Sequence, residues 1–167
     1  MTARHRPTTP RPRDGGAAPA PEFRELDHAA CEEVLRRNDV GRLAFSFHDR
    51  VALEPLHYVY EDGWLYGRTS RGSKIAPILH NHWIAFEVDE IDDTFDWRSV
   101  VVHGALYFLA PDGTPSEQKA RARAQRLLRE IVPATGQPDD PVPHRGLYFR
   151  IHAEELTGRA ASTARAP

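Results

Sequence analysis

Two runs of alternating apolar and polar residues meet at Asp62-Gly63, and that junction constrains the chain more than any other feature. Val51 to Tyr60 alternates on one side and Trp64 to Thr69 on the other. An Asp-Gly link suits a two-residue turn with left-handed backbone, so the segment predicts a β-hairpin. The same two-residue period recurs along the chain. Leu43, Phe45 and Phe47 alternate with Arg42, Ala44 and Ser46 before a His48-Asp49-Arg50 turn. Ile84, Phe86 and Val88 alternate with Ala85, Glu87 and Asp89, and Val100 to Leu109 reads as a long strand interrupted by Gly104. Leu147, Phe149 and Ile151 alternate with Tyr148, Arg150 and His152 in a last strand. Pro55 marks an edge or a bulge in the second run.

Three segments have helical spacing instead. Asp27 is a natural N-cap for Ala30, Cys31, Val34 and Leu35, with Leu26 on the same face and Glu32 and Glu33 early in the helix. A short helix follows Ser73 as cap, with Ile75, Ile78 and Leu79 on one face and Pro77 near its first turn. Thr114-Pro115-Ser116-Glu117 is a capping box with proline at the first helical position. It opens a helix to about Ile131 that buries Ala120, Ala124, Leu127, Leu128 and Ile131. The order is α-β-β-β-α-β-β-α-β. Without a βαβ rhythm, the expected architecture is a mostly antiparallel barrel with appended helices.

Residues 1–22 are rich in proline and arginine and hold no leucine, isoleucine or valine, so they predict a disordered N-terminal tail. Residues 23–158 form the predicted domain, and 159–167 read as a flexible C-terminal tail. Of 167 residues, 40% are hydrophobic and 28% charged, which is the composition of a globular protein. A net charge of −2 and four scattered tail arginines give no field for nucleic acid. No apolar run reaches the roughly 20 residues of a membrane span, and no apolar leader opens the chain, so a cytoplasmic location is expected. One cysteine, Cys31, excludes an intramolecular disulfide and a zinc site built on several thiolates. Nine histidines supply no metal set: His80 and His82 straddle a helix end, and His103 and His152 are single strand positions.

Most of the chemistry concentrates in Gly67-Arg68-Thr69-Ser70-Arg71-Gly72-Ser73-Lys74. A strand ends in hydroxyls, a glycine allows close approach, and a helix begins beside one of only two lysines. That combination of helix N-terminus, hydroxyls and cations suits a phosphate. An ordinary polar strand-to-helix turn with a good cap has the same composition, and neither a Walker loop nor a G-x-G-x-x-G fingerprint is present. Asp96-Trp97-Arg98-Ser99-Val100 could stack on or hydrogen-bond a planar ligand, or serve as core or interface. His57-Tyr58 is a third candidate, although a lone strand histidine is usually only hydrogen-bonded. No Ser-His-Asp, Cys-His or paired-carboxylate constellation stands out.

These segments together resemble the pyridoxamine 5′-phosphate oxidase-like superfamily of FMN-binding split barrels, and within it the 5-nitroimidazole reductase-like branch. The resemblance runs from about Leu26 to Arg159. Its marks are Val40-Gly41-Arg42-Leu43-Ala44, Pro55-Leu56-His57-Tyr58-Val59-Tyr60, Leu65-Tyr66-Gly67-Arg68-Thr69 with Gly72-Ser73-Lys74, and Phe86-Glu87-Val88-Asp89. They continue in Trp97-Arg98-Ser99-Val100-Val101-Val102-His103-Gly104 and Leu156-Thr157-Gly158-Arg159.

The resemblance implies a mainly β chain with helices: a six-stranded antiparallel split β-barrel that forms a homodimer with two FMN sites between subunits. It assigns Arg68, Thr69, Ser73 and Lys74 to the FMN phosphate, and His57 and Tyr58 to the edge of the isoalloxazine ring. Trp97, Arg98 and Ser99 complete the ring pocket, with Arg98 near the N1–C2 edge. The implied function is an FMN-dependent oxidoreductase of a small molecule, flavin reductase or nitroreductase-like, with NAD(P)H as candidate electron donor. Alternatives are a flavin- or haem-binding protein without turnover, with His57, His80, His82 and His103 as candidate iron ligands, and a deazaflavin-dependent reductase. The substrate-binding pattern of pyridoxamine phosphate oxidases proper is not matched, which argues against vitamin B6 synthesis.

Overall fold

A computed structural model describes residues 20–72 and 75–163, which form seven strands and three helices. They are β1 (Pro21–Leu26), α1 (His28–Arg37), β2 (Val40–Phe47), β3 (Arg50–Glu61) and β4 (Trp64–Thr69). α2 (Ile75–His80), β5 (Trp83–Asp93), β6 (Asp96–Leu109), α3 (Pro115–Ile131) and β7 (Leu147–Thr163) follow. The sheet order is β1-β7-β4-β3-β2-β5-β6, with a further β7–β6 pairing. Six strands, β7-β4-β3-β2-β5-β6, therefore close on themselves, all antiparallel. This is the expected barrel. The seventh strand, β1, lies outside the ring.

β7 makes that arrangement possible because it is long enough to serve two neighbours in turn. Its first part, Leu147 to His152, pairs with β4, and its last part, Gly158 to Thr163, pairs with β1. β6 runs along both parts, with a bulge where His103 faces Glu155 but Gly104 faces Ala153. A Cβ at Gly104 would overlap the carbonyl oxygen of His152, so the kink admits no side chain there. At the β3–β4 hairpin, Asp62 and Gly63 take positive φ of 49° and 78°, the backbone predicted for that dipeptide.

The barrel interior is filled by inward residues of the alternating runs, among them Leu43, Phe45, Leu56, Leu65, Phe86, Val100 and Ile151. α1 inserts Cys31, Val34 and Leu35 into the same cluster. Its N-cap is Asp27, whose carboxylate accepts from the Ala30 amide at 2.8 Å. α3 lies on the outside, with Ala120, Ala124, Leu127 and Leu128 against Tyr66, Leu109 and Tyr148. The predicted capping box is present in full at Thr114 and Glu117.

The structure differs from the sequence-based expectation at four places. The tail boundaries move outward, because Pro21 and Glu22 belong to β1 and Arg159 to Thr163 belong to β7. β1 gives no periodic signal since it buries only Leu26 fully. The end of β7 is hidden by Ala160 and Ala161, which are buried but small. In α2, Pro77 and Ile78 are buried while Leu79 is 56% exposed, so its inner face is rotated from the predicted one. Ile131, at the last position of α3, is only half-buried. The expected N-terminal tail up to residue 19, the cap at Ser73 and the residues from 164 onward lie outside the described residues.

Candidate functional site

Alternation along β6 sorts the Trp97-Arg98-Ser99 segment onto two faces. Trp97, Ser99 and Val101 line an outer cleft of about 560 Å³, together with Leu26, Leu156 and Arg159. Arg98 shares the inward face with the buried Val100 and Val102. There its guanidinium reaches Glu90 at 3.4 Å, a carboxylate already held by Arg37 at 2.9 Å and Asn38 at 2.8 Å. Ser99 Oγ donates to Glu87 at 3.1 Å, and Trp97 lies 6.3 Å from Phe23 of β1. Two of the three expected ring-pocket residues thus share a cleft and Arg98 points away from it. The cation that does line this cleft is Arg159, opposite Ser99 in the β6–β7 register.

His57 and Arg68 meet on a different part of the surface. They line a cleft of about 350 Å³ roofed by the end of α3 and the following loop, with Leu128, Thr135, Val142 and Arg145 in its wall. Arg68 is buried and forms a bidentate pair with Asp140, one arm at 3.0 Å and the other shorter. Asp140 also accepts from the amides of Gly136 at 2.8 Å and Val142 at 3.0 Å. Arg68 and those two amides hold the Asp140 carboxyl well below the usual carboxylate range. The pair ties the loop of residues 132–146 to β4. With its charge already matched, Arg68 positions that loop and has little left for a phosphate.

Tyr58 is fully buried in the barrel, so only its backbone borders the outer surface. Its hydroxyl donates to the Leu35 carbonyl at 2.9 Å, which satisfies an acceptor in the last turn of α1. The ring meets Phe86 edge-on, with centroids 5.1 Å apart. Burial pushes its hydroxyl pKa far above the ordinary tyrosine value. Thr69 is buried at the end of β4, on the opposite strand face from Arg68. Ser73 and Lys74, the remaining expected phosphate contacts, lie outside the described residues. Among the described residues no group of three or more His, Cys, Asp or Glu side chains could hold a metal ion.

The two clefts lie on different strands of the closed ring, one at β6 and β7 and the other at β3 and β4. The sheet order places β3, β2 and β5 between β4 and β6. Their outward residues include Val40, Val51, Leu53 and Trp83, with Val51 78% and Leu53 61% exposed. Val51, Leu53 and Trp83 give this face an exposed apolar part, while Arg42 pairs with Glu87 and Asp89 farther along it.

A family model described as pyridoxamine 5′-phosphate oxidase matches residues 27–160, which is nearly the whole barrel. The chain belongs to the pyridoxamine 5′-phosphate oxidase family. A family relative from Rhizobium meliloti, itself uncharacterised, is 30% identical over 147 residues, 83% of this chain and 95% of its own. The crystal structure of a FAD-binding protein from Mesorhizobium loti is similar at a TM-score of 0.68 and 31% identity, covering 86% of this chain and 99% of that one. A candidate 5-nitroimidazole antibiotic resistance protein from Bacteroides thetaiotaomicron shares the fold at a TM-score of 0.64 and 13% identity, covering 87% of this chain and 90% of that one.

Sequence reasoning missed Arg159 and Asp140. Arg159 was legible within Leu156-Thr157-Gly158-Arg159, but the polar, small-residue segment around it reads as a chain end. Asp140 sits in a proline-rich loop 72 residues from its partner, and no local pattern links the two.

Proposed function

We propose that the protein is a homodimeric flavin-dependent oxidoreductase acting on a small molecule. The observation that carries this reading is a pair of separate half-sites, one on β3 and β4 and one on β6 and β7, with the exposed apolar residues Val51, Leu53 and Trp83 on β3 and β5. Two-fold pairing of that face sets Thr69 and His57 of one protomer against the partner's Trp97 and Ser99. The residues fit a flavin: an aromatic plane and a hydroxyl in one cleft, a hydroxyl- and cation-bearing turn at the other. The Mesorhizobium relative's FAD binding supports the same class of ligand.

A bound flavin supplies the redox chemistry by accepting and returning electrons. The chain's residues do the rest. Lys74 and the turn amides bind phosphate, Trp97 packs on the ring system, Ser99 offers a hydroxyl to its polar edge, and Arg159 brings positive charge to that cleft. The interface excludes water from the ring. No side chain in either cleft is placed as a proton donor for a specific substrate, so the reaction class rests on the flavin.

The test is the absorption spectrum of the purified protein, with the released ligand identified by mass. Flavin bands near one equivalent per subunit are expected. A colourless protein that takes up neither FMN nor FAD at micromolar concentration overturns the reading, as does a released deazaflavin or a stoichiometric haem Soret band. Lys74→Ala is expected to weaken FMN binding by about one to two decades, the loss of a charge-assisted phosphate contact, while leaving riboflavin affinity unchanged.

A further inference from the structure

Beyond the end of β4 lies a third cleft that none of these roles uses. It holds about 360 Å³ between Ser70 and Arg71 of the turn, Arg121 of α3, and the Pro143-His144 segment of the loop. Through Arg121, Pro143 and Gly146 it continues into a recess of about 310 Å³ that adds Gln125 and Arg145. The combined groove is strongly cationic. Among the described residues Arg71, Arg121 and Arg145 have no carboxylate within ion-pair distance, as holds also for Arg24, Arg50, Arg129, Arg150 and Arg159, but these three converge on one groove. The one acidic side chain in the groove, Asp140, has both oxygens on Arg68.

Arg121 is held ready for an anion. Its guanidinium stacks on the Tyr148 ring at 4.5 Å, its Nη1 donates to the Leu109 carbonyl at 2.9 Å, and its Nη2 donates to the Gly146 carbonyl at 3.5 Å. An arginine with five N–H donors, placed by stacking and two carbonyls, keeps three donors free and loses little entropy on binding. Pro111, Pro143 and Leu147 give the same cleft apolar walls that suit a flat base. Cations beside apolar walls, in a volume of this size, are the requirements of a nucleotide.

The cleft opens directly at Ser70 and Arg71, between Thr69 and Gly72 of the turn assigned to the flavin phosphate. A second phosphate joined to one held by that turn would therefore enter it. We propose that this groove binds the ADP moiety of a dinucleotide, with Arg71, Arg121 and His144 on the phosphates and the prolines against the base. The proposal rests on the flavin reading, and the shared ADP chemistry has two sources: the adenylate half of FAD or that of a pyridine dinucleotide.

The experiment titrates the flavin-stripped full-length protein with riboflavin, FMN, FAD and ADP, and its FMN-loaded form with NADH and NADPH. Each titration is repeated on the double variant Arg121→Gln/His144→Gln, whose altered side chains stand on α3 and the loop, outside the turn assigned to the flavin phosphate. The expected result is FAD bound about tenfold or more tightly than FMN, with that advantage lost in the variant and FMN affinity unchanged. Equal FMN and FAD affinities, with pyridine dinucleotide binding weakened about tenfold in the variant, support the groove and assign it to the second source. If the variant alters neither FAD nor pyridine dinucleotide binding, or weakens FMN as much as FAD, the groove assignment is overturned. If ADP binds in a variant-sensitive way while no flavin binds, the groove stands and the flavin reading falls. If neither flavin nor ADP binds, both fall.

Discussion

Arg68 and Asp140 show how one contact redefines a residue. An arginine beside a phosphate-suited turn invites assignment to the phosphate, yet its bidentate partner is a loop carboxylate that is itself buried. Asp140→Asn leaves a buried guanidinium without its counter-charge and is expected to cost about 3 kcal/mol, read as a lower urea midpoint at neutral pH. The sign of the pH dependence follows from the depressed carboxyl. The stabilisation is fully present above the unfolded-state value of about 3.9 and is lost as pH falls below it towards the folded-state value. Acid unfolding below about pH 4 should therefore be steeper in the native protein than in the Asn variant. Tyr58 is a second residue with a structural role. Tyr58→Phe strands the Leu35 carbonyl in the protein interior and is expected to lower stability by roughly 1–2 kcal/mol without changing flavin affinity, as measured by thermal melts and flavin titration.

At the scale of elements, the long strand β7 decides the architecture. Its two halves face different partners, and the change of partner is managed by the bulge opposite Gly104. Gly104→Ala would drive a methyl group into the His152 carbonyl, a backbone atom that cannot rotate away. The expected cost is about 3 kcal/mol, the upper end of overpacking penalties. Hydrogen exchange should show lost protection in β6 and β7 while α3, packed on its own cluster, is protected as before. Equal loss across all elements would mean that the bulge is not the weak point.

At the scale of the whole molecule, the proposed dimer pairs through the exposed face of β2, β3 and β5. Leu53 stands on that face and touches neither cleft. Leu53→Asp is expected to convert the dimer to a monomer in light scattering and to release flavin at the same protein concentration. A native interface above about 2,000 Å² in total, the obligate class, is expected. A flavin-loaded monomer would refute the two-half-site reading while leaving the family and fold untouched.

The features legible in the chain alone are those with local causes. Alternation announced six barrel strands, Asp62-Gly63 announced the hairpin, and Thr114 with Glu117 announced the start of α3, because pleat, turn and cap each act within a few residues. Alternation between Arg98 and the buried Val100 and Val102 also held the clue that Arg98 faces away from Trp97. Other features needed the folded chain. β1 is a strand only because β7 supplies its hydrogen bonds, and Ala160 and Ala161 are core only because β6 and β1 flank them. Arg68 binds Asp140 because closing the barrel brings α3 and its loop over β4. Hydrogen-bonding and ion-pair partners far apart in sequence are chosen by closure of the sheet, and no short window of residues contains that information.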